Sequence, residues 1–236
     1  MKRAVELFAL EEGSSWSPLV SRTWQARSPA DAWFLSVAAT HWEMVVTRQG
    51  GVARLTVRGP ETKATAVPIP PEAEFFGIQF SAGTFMPGLP PGRLVDRAVV
   101  LPPVTERSFW LGGSTWEHPS PDSADVFVDR LVRTGVLVHD PVVAEAVHHD
   151  VAGFSTRSLE RRVARATGLS RGAAQRIRRA ERAVDLLSRG VAPSEVARRA
   201  GYADQPHLTR SLRRFAGQTP GEIVVAGVQD GGTERR

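Results

Sequence analysis

The polar side chains with the most informative spacing lie near the C-terminal end of the chain. They are Gln205, Thr209, Arg210 and Arg213, separated by four, one and three residues. In an α-helix these intervals place the side chains on one face. Arginine and glutamine can form paired hydrogen bonds with the edges of guanine and adenine, and arginine also binds phosphate. The pattern therefore predicts a surface that contacts nucleic acid.

Apolar residues in the same stretch predict the helix that carries this face. Leu208, Leu212 and Phe215 recur at i, i+4 and i+7, so they form one buried stripe. Asp204 is a typical N-cap residue, and Pro206 stands in the first turn, where its missing N–H removes no helical hydrogen bond. A glycine at 217 follows as a helix stop. We expect a helix over residues 204–216.

A shorter helix is predicted just before it, over residues 193–200. Val196, Ala197 and Ala200 share one face of that helix, and Gly201 ends it. Two short helices joined by a tight turn predict a helix–turn–helix whose second helix enters the major groove. An ordinary helical hairpin with a solvated basic face is the alternative interpretation.

A second polar face is predicted on a helix over residues 155–166. Leu159 and Val163 point inward there, and the outward residues are Arg157, Glu160, Arg161 and Arg165. Glu160 could accept a hydrogen bond from cytosine N4. For each single residue the alternative is a phosphate contact or a surface ion pair, and for Arg165 we favour that alternative. A long basic helix over residues 170–188 separates the two predicted readers.

Three short segments resemble the closing signature of the AraC/XylS transcription regulators. They read GYADQ at 201–205, HLTR at 207–210 and GQTP at 217–220, while 153–170 resembles the first recognition helix of that family. The resemblance covers residues 140–222. It implies two helix–turn–helix units that the long helix holds about one turn of DNA apart, roughly 34 Å. It also implies double-stranded DNA as the partner, with RNA polymerase, a small-molecule effector and a second copy of the chain as further partners.

The sequence departs from the family at the first of these units. A separate supporting helix normally precedes the first recognition helix, but only residues 141–149, after the N-cap Asp140, are available here. We therefore expect a shortened first unit that contributes less to binding than the second. The alternative is that the helix over 141–149 itself provides the support.

The first half of the chain shows a β pattern. Strands are predicted at 33–37, 43–47, 53–57, 62–69 and 75–80, followed by a helix over 123–134. This half loosely resembles the β-rich sensory domain of the family. We expect an α+β protein: a β-rich sandwich or small barrel at residues 1–136, an all-helical DNA-binding domain at 137–223 and a disordered tail at 224–236.

Charge and composition agree with that division. Residues 1–136 hold 13 basic and 14 acidic residues, whereas residues 137–236 hold 17 and 11, so the basic excess lies in the helical half. We expect this half to fold and bind DNA alone. An enzyme in residues 1–136 with the helical half as a locator, and a sequence-independent architectural DNA binder, are the competing functions.

Other classes of function find little support. Cysteine is absent, and His41 and His118 are the only histidines before residue 137, so no metal centre or other cofactor is predicted. No catalytic constellation is recognisable, and we expect no enzymatic activity. Without a signal sequence or an apolar span of about 20 residues, the expected location is the cytoplasm, away from membranes.

Overall fold

The computed structural model describes residues 8–147 and 149–230, with side chains described for 11–147 and 149–225. A β-rich part is followed by a helical part, so the predicted fold class is confirmed. The strands are β1 Phe8–Gly13, β2 Val20–Ser28, β3 Ala32–Ser36, β4 Glu43–Gln49, β5 Val52–Arg58, β6 Thr65–Ile69, β7 Ala73–Phe80, β8 Thr84–Phe85, β9 Ala98–Val100, β10 Pro103–Thr105, β11 Ser108–Leu111, β12 Ser114–Glu117 and β13 Val138–His139. The helices are α1 Ala124–Arg133, α2 Pro141–Ala146, α3 Thr156–Thr167, α4 Arg171–Ser188, α5 Pro193–Arg199, α6 Gln205–Phe215 and α7 Pro220–Asp230.

One antiparallel sheet of six strands, in the order β1-β2-β7-β4-β5-β9, organises the β-rich part. Side chains alternate between its two faces because successive residues of a strand point to opposite sides. Met44, Val46 and Leu55 lie on the face that forms the main core. Helix α1 and the small sheet β10-β11-β12 cover this face. The buried ring of Phe127 packs edge to face against the buried rings of Phe109 and Trp116.

The other face of the six-stranded sheet is covered by the two-stranded sheet of β3 and β6. The two layers do not close on each other completely. Between them lies a cavity of about 460 Å³, which we call the β-cavity. The predicted sandwich or barrel thus takes the form of one large sheet with a small, separate covering layer.

The helical part has two cores. In the first, α2, α3 and the start of α4 pack together through Val143, Leu159, Val163 and Ala174. In the second, α4 to α7 pack through one larger set of buried residues: Ile177, Ala180, Ala183, Leu187, Val196, Ala197, Leu208, Leu212, Phe215 and Ile223. Both cores also contain residues of the β-rich part. Phe85 belongs to the first core and Ala38 to the second.

Helix α7 corrects the prediction of a disordered tail from residue 224. The helix begins at Pro220 and continues to Asp230. Its start is stabilised by Thr219 and Glu222, which bond each other's backbone N–H groups at 3.3 and 2.7 Å, and Ile223 is buried in the second helical core. Residues 231–236 lie outside the described residues, and the other domain limits stay predictions.

Candidate nucleic-acid interface and the adjoining cavity

Helix α6 begins and ends where the sequence pattern predicted. The Asp204 carboxylate accepts a hydrogen bond from the backbone N–H of His207 at 2.6 Å, and Pro206 stands in the first turn. Leu208 and Leu212 are fully buried, and Phe215 is nearly so. This stripe fixes the rotation of the helix, so the opposite face must point outward.

The outward face of α6 carries the four predicted contact residues. Gln205, Arg210 and Arg213 are exposed, and Thr209 is half-buried. The Thr209 hydroxyl donates to the backbone carbonyl of Gln205 at 3.0 Å, which leaves its lone pairs available. Within residues 11–147 and 149–225, no carboxylate forms an ion pair with Arg210 or Arg213. Both guanidinium groups can therefore bind an external anion or base without breaking an ion pair, although the charge of Arg213 also acts on Glu222.

Helix α5 and the turn after it support α6. Val196 and Ala197 are buried against the second helical core, and Gly201 takes a positive φ of 73° that lets the chain turn. Tyr202 reaches from this turn to α6, where its hydroxyl lies 3.0 Å from the Ser211 hydroxyl and its ring meets His207 edge to face. Burial raises the pKa of Tyr202, so the phenol stays protonated at neutral pH. Sequence reasoning missed this link because a tyrosine in a turn has no periodic signal.

The first reader, α3, is held by α2. Val143 and Ala146 of α2 pack on Leu159 and Val163 of α3. Arg171 at the start of α4 donates to the Ala146 carbonyl at 2.6 Å, which links the end of α2 to α4. The expectation of an unsupported first unit is therefore wrong for these residues, and the alternative, in which the helix after Asp140 itself provides support, describes the structure. That helix ends at Ala146 rather than at residue 149.

Only part of the predicted face of α3 is free. Arg157 and Arg161 are exposed, and no ion pair among the described side chains involves them. Glu160 instead accepts a hydrogen bond from the backbone N–H of Arg171 at 3.2 Å. The Arg165 guanidinium lies 5.2 Å from the ring of Phe85 in the β-rich part. Both residues thus have structural contacts, and their role in DNA binding stays a prediction.

The long helix α4 joins the two units. Its 18 residues give it a length of roughly 27 Å. Ala174 near its start packs with α3, while Ala183 and Leu187 near its end pack with α5 and α6. Arg178 pairs with Glu181 at 2.7 Å, and burial raises the pKa of Glu181 against the opposing effect of that arginine.

Comparisons with known proteins agree with this arrangement. Residues 150–224 match the protein family described as Helix-turn-helix domain. Residues 150–224 form a helix–turn–helix domain of the AraC/XylS type. The HTH-type transcriptional regulator RipA of Corynebacterium glutamicum is 30% identical over 123 residues, which are 46% of this chain and 37% of RipA. The chain thus matches little more than a third of the length of this curated relative.

Solved structures that align with this chain include two of ToxT from Vibrio cholerae O395. Both are 8% identical to this chain and have a TM-score of 0.42. The first alignment covers 86% of this chain and 96% of the ToxT chain, and the second covers 87% of this chain and 97% of the ToxT chain. The second is bound to (E)-4-(8-methylnaphthalen-1-yl)but-3-enoic acid.

The β-cavity lies in the β-rich part, between the six-stranded sheet and the covering sheet of β3 and β6. Its walls are mainly apolar, with Phe34, Val45, Val67 and Phe75 among the lining residues. One end is polar and contains Arg22, Trp24, Gln79, His41, Glu43, Arg58 and Glu61. Trp24 donates to Glu43 at 3.1 Å, and Arg58 lies 3.4 Å from Glu43 and 2.9 Å from Glu61. Burial raises the pKa of Glu43, although the Arg58 guanidinium opposes the shift.

One carboxylate oxygen in this polar end has no hydrogen-bond partner among the described residues. Glu61 Oε1 accepts hydrogen bonds from the Ser36 hydroxyl and from Arg58, each at 2.9 Å. Glu61 Oε2 is buried, and no hydrogen-bond donor among the described residues reaches it. A buried acceptor without a donor is costly, so a hydroxyl or amine that reached this atom would be stabilised there. This atom could not be predicted from the sequence, because only contacts between distant segments distinguish the two oxygen atoms of Glu61.

His41, which lines the β-cavity, makes the free energy of unfolding of the protein depend on pH. Burial, followed by the positive charges of Arg22, Arg178 and Arg58, lowers the pKa of His41 to about 4. The unfolded chain takes up a proton near pH 6.5, but the folded chain does not until about pH 4, so stability is lost as the pH falls below 6.5.

Between pH 7 and pH 5 we expect the free energy of unfolding of the wild-type protein to fall by about 2 kcal/mol more than that of His41→Gln. Urea unfolding of both proteins at the two pH values measures this difference, and equal losses would contradict it.

Among the described residues, no three His, Asp or Glu side chains lie together as metal ligands would. In the same part of the chain, no helix combines the length and the apolar character that crossing a bilayer requires.

Proposed function

We propose that this protein is a sequence-specific DNA-binding transcription regulator whose β-rich part controls the helix–turn–helix domain. The observation that carries the proposal is the free polar face of α6, set on a helix that the buried stripe holds in one orientation. Gln205, Arg210 and Arg213 are exposed and available there. Such side chains read base edges in the major groove, while arginines of α3 supply contacts to phosphates.

The two readers have different roles in this proposal. Gln205, Thr209, Arg210 and Arg213 on α6 form the main reading surface. Arg157 and Arg161 on α3 act as anchors whose contribution depends on salt and tolerates sequence. Glu160 and Arg165 belong to the proposed face only in a secondary role, since each already contacts another part of the protein.

Selection of duplexes from a randomised pool with the full chain tests the proposal. The affinity for the selected duplex and for a scrambled duplex is then measured at one fixed salt concentration. We expect the selected duplex to bind about 10³-fold more tightly or better, as specific regulators do. Equal affinity for the two duplexes would favour the sequence-independent architectural protein and contradict our proposal.

Two protein partners belong to the same proposal. A regulator bound beside a promoter acts through RNA polymerase, and transcription from a template that carries the selected site, with and without the protein, tests this step. A homodimer would place two copies of α6 on neighbouring half-sites about 34 Å apart. Sedimentation of the protein with the selected duplex distinguishes one bound copy from two. No enzymatic activity is part of the proposal.

We further propose that the β-cavity binds a small-molecule effector. Its volume of about 460 Å³ lies within the range of small-molecule pockets, and its walls are mainly apolar. The guanidinium groups of the polar end already face carboxylates, because Arg58 contacts Glu43 and Glu61, and Arg22 contacts Glu12. Each of the two arginines that line the cavity thus has a carboxylate partner among the described residues. The cavity therefore suits an apolar molecule with one hydroxyl or amine that donates to Glu61 Oε2.

Matched probe molecules test this ligand class. We expect 1-octanol to raise the melting temperature of the protein more than octanoic acid does at the same concentration, since only the alcohol remains an uncharged donor at pH 7. Removing the acceptor in Glu61→Ala should abolish the difference between the two probes. A larger stabilisation by octanoic acid would show that the site selects an anion instead.

A further inference from the structure

Backbone N–H groups of the β-rich part bind the end of the recognition helix α6. The N–H of Ala38 donates to the carbonyl of Phe215 at 2.7 Å, and the N–H of Ala64 donates to the carbonyl of Arg214 at 2.9 Å. The last four carbonyls of a helix have no partner within that helix. Two of these carbonyls in α6 are thus satisfied by the other half of the protein.

The two donors stand at one end of the sheet that covers the β-cavity. Ala38 follows β3 by two residues, and Ala64 directly precedes β6. Because β3 and β6 pair antiparallel, with Ser36 opposite Thr65, these two ends are neighbours. The same two strands supply a wall of the cavity through Phe34, Ser36, Val67, Pro68 and Ile69.

Close packing accompanies the two hydrogen bonds. A Cβ atom placed on Gly217, just after α6, would lie 3.1 Å from Ala64 Cβ and 3.1 Å from the Leu35 side chain. Ala38 is 3% exposed and belongs to the core that contains Leu212 and Phe215. Because the contacts at Ala38 and Gly217 are close, a shift of the covering sheet would move the end of α6 or break the two bonds.

Glu61 joins the polar end of the β-cavity to the same junction. Its backbone N–H and carbonyl pair with those of Ala39 at 3.0 Å, next to Ala38 in the chain. Its carboxylate binds the Ser36 hydroxyl at 2.9 Å, on β3. A molecule in the cavity that contacts Glu61 or Ser36 therefore acts on the segment that holds α6.

We propose that β3 and β6 transmit occupancy of the β-cavity to the recognition helix, so that the filled and empty forms differ in DNA affinity. The inference deepens the proposed function and rests on it for the role of α6. Coupling of this kind is reciprocal: DNA on α6 must change binding in the cavity by the same factor. Measured couplings between sites typically lie at about 5- to 150-fold.

Filling the cavity chemically tests the coupling without knowledge of the effector. Thr47 lines the cavity from β4, on the wall opposite the covering sheet, and the chain has no cysteine of its own. Thr47→Cys can therefore be labelled at one site, either with methyl methanethiosulfonate or with the much larger N-benzylmaleimide. We expect the two adducts to differ at least about fivefold in affinity for the selected duplex. The matched control is Val52→Cys, at a position that is 45% exposed and away from the cavity, where the two adducts should bind alike.

A second variant tests the route. Leu35→Ala removes the side chain that packs on Gly217 but leaves the cavity in place. In the Thr47→Cys background it should reduce the difference between the two adducts, while the unlabelled protein still selects its duplex. A difference that remains unchanged in Leu35→Ala would overturn the proposed route.

Two measurements separate the coupling from the function on which it rests. Hydrogen exchange of the backbone amides at the end of α6 should differ between the adducts even without DNA. In the wild-type protein, the selected duplex should change the exchange of the Ala38 and Ala64 amides, which holds whether or not Thr47→Cys folds. Identical exchange in both comparisons, with selective DNA binding intact, would overturn the coupling alone. An adduct-dependent exchange without selective DNA binding would keep the coupling and overturn the function.

Discussion

Replacing Arg210 and Arg213 together by alanine is expected to lower the affinity for the selected duplex by about two orders of magnitude or more. Each bidentate contact to a base contributes about 1–3 kcal/mol, and each factor of ten in affinity corresponds to about 1.4 kcal/mol. Both side chains are exposed and no ion pair holds either in the described part of the chain. Their removal should therefore leave the free energy of unfolding within about 0.5 kcal/mol. Fluorescence anisotropy at several salt concentrations, with urea unfolding in parallel, measures both quantities.

The matched control removes the same charge from the other reader. Arg157→Ala with Arg161→Ala should weaken binding about tenfold at moderate salt and reduce the salt dependence by about two phosphate contacts. Unlike the α6 pair, it should weaken selected and scrambled duplexes to the same extent. Footprinting on the selected duplex complements the comparison. Protection of two successive major grooves together with equal losses for the two pairs would contradict a dominant α6.

The reason for this inequality differs from the one that the sequence suggested. The sequence pattern left no room for a helix supporting α3, but α2 packs directly on Leu159 and Val163 and provides that support. What separates the two readers is the number of free side chains. Contacts within the protein already involve Glu160 and Arg165, which leaves Arg157 and Arg161 on α3 against four residues on α6.

Helix boundaries could be predicted well because their causes are local. Asp140 and Asp204, the two predicted N-cap residues, each accept a hydrogen bond from an N–H two or three residues later. The buried stripe of α6 follows equally from spacing alone. The start of α7 has the same kind of signal, since threonine at 219 and glutamate at 222 form a capping box, although the predicted disordered tail begins at residue 224.

The β-cavity and its link to α6 could not be predicted in the same way. The cavity needs β2 to pair with β7 and β3 with β6, segments that are about 30 to 60 residues apart in sequence. Its unpartnered acceptor, Glu61 Oε2, is distinguished by the lack of a hydrogen-bond donor among the described residues, which no residue type indicates. The bonds from Ala38 and Ala64 to α6 involve backbone atoms, which every residue carries, so no residue type indicates them.

Phe85→Ala is expected to lower the free energy of unfolding by about 3–5 kcal/mol, the usual cost of truncating a buried phenylalanine. Phe85 is 5% exposed and belongs to the core that Val143, Leu159 and Val163 form between α2 and α3. The substitution would leave a cavity there and remove the ring beneath the Arg165 guanidinium. Urea unfolding followed by circular dichroism at 222 nm measures the loss.

Phe34→Ala is the matched control, because Phe34 also lies in a short strand but is 40% exposed, and we expect it to cost about 1 kcal/mol or less.

The comparison also decides whether the helical half folds independently of the β-rich part. Its apolar stripes suggested that residues 137–236 would fold alone, but Phe85 and Ala38 of the β-rich part complete its two cores. A fragment of residues 137–236 should therefore be less stable than the same helices in the full chain. If Phe85→Ala cost no more than Phe34→Ala, and the fragment unfolded at the same urea concentration as the full chain, the helical cores would close without the β-rich part.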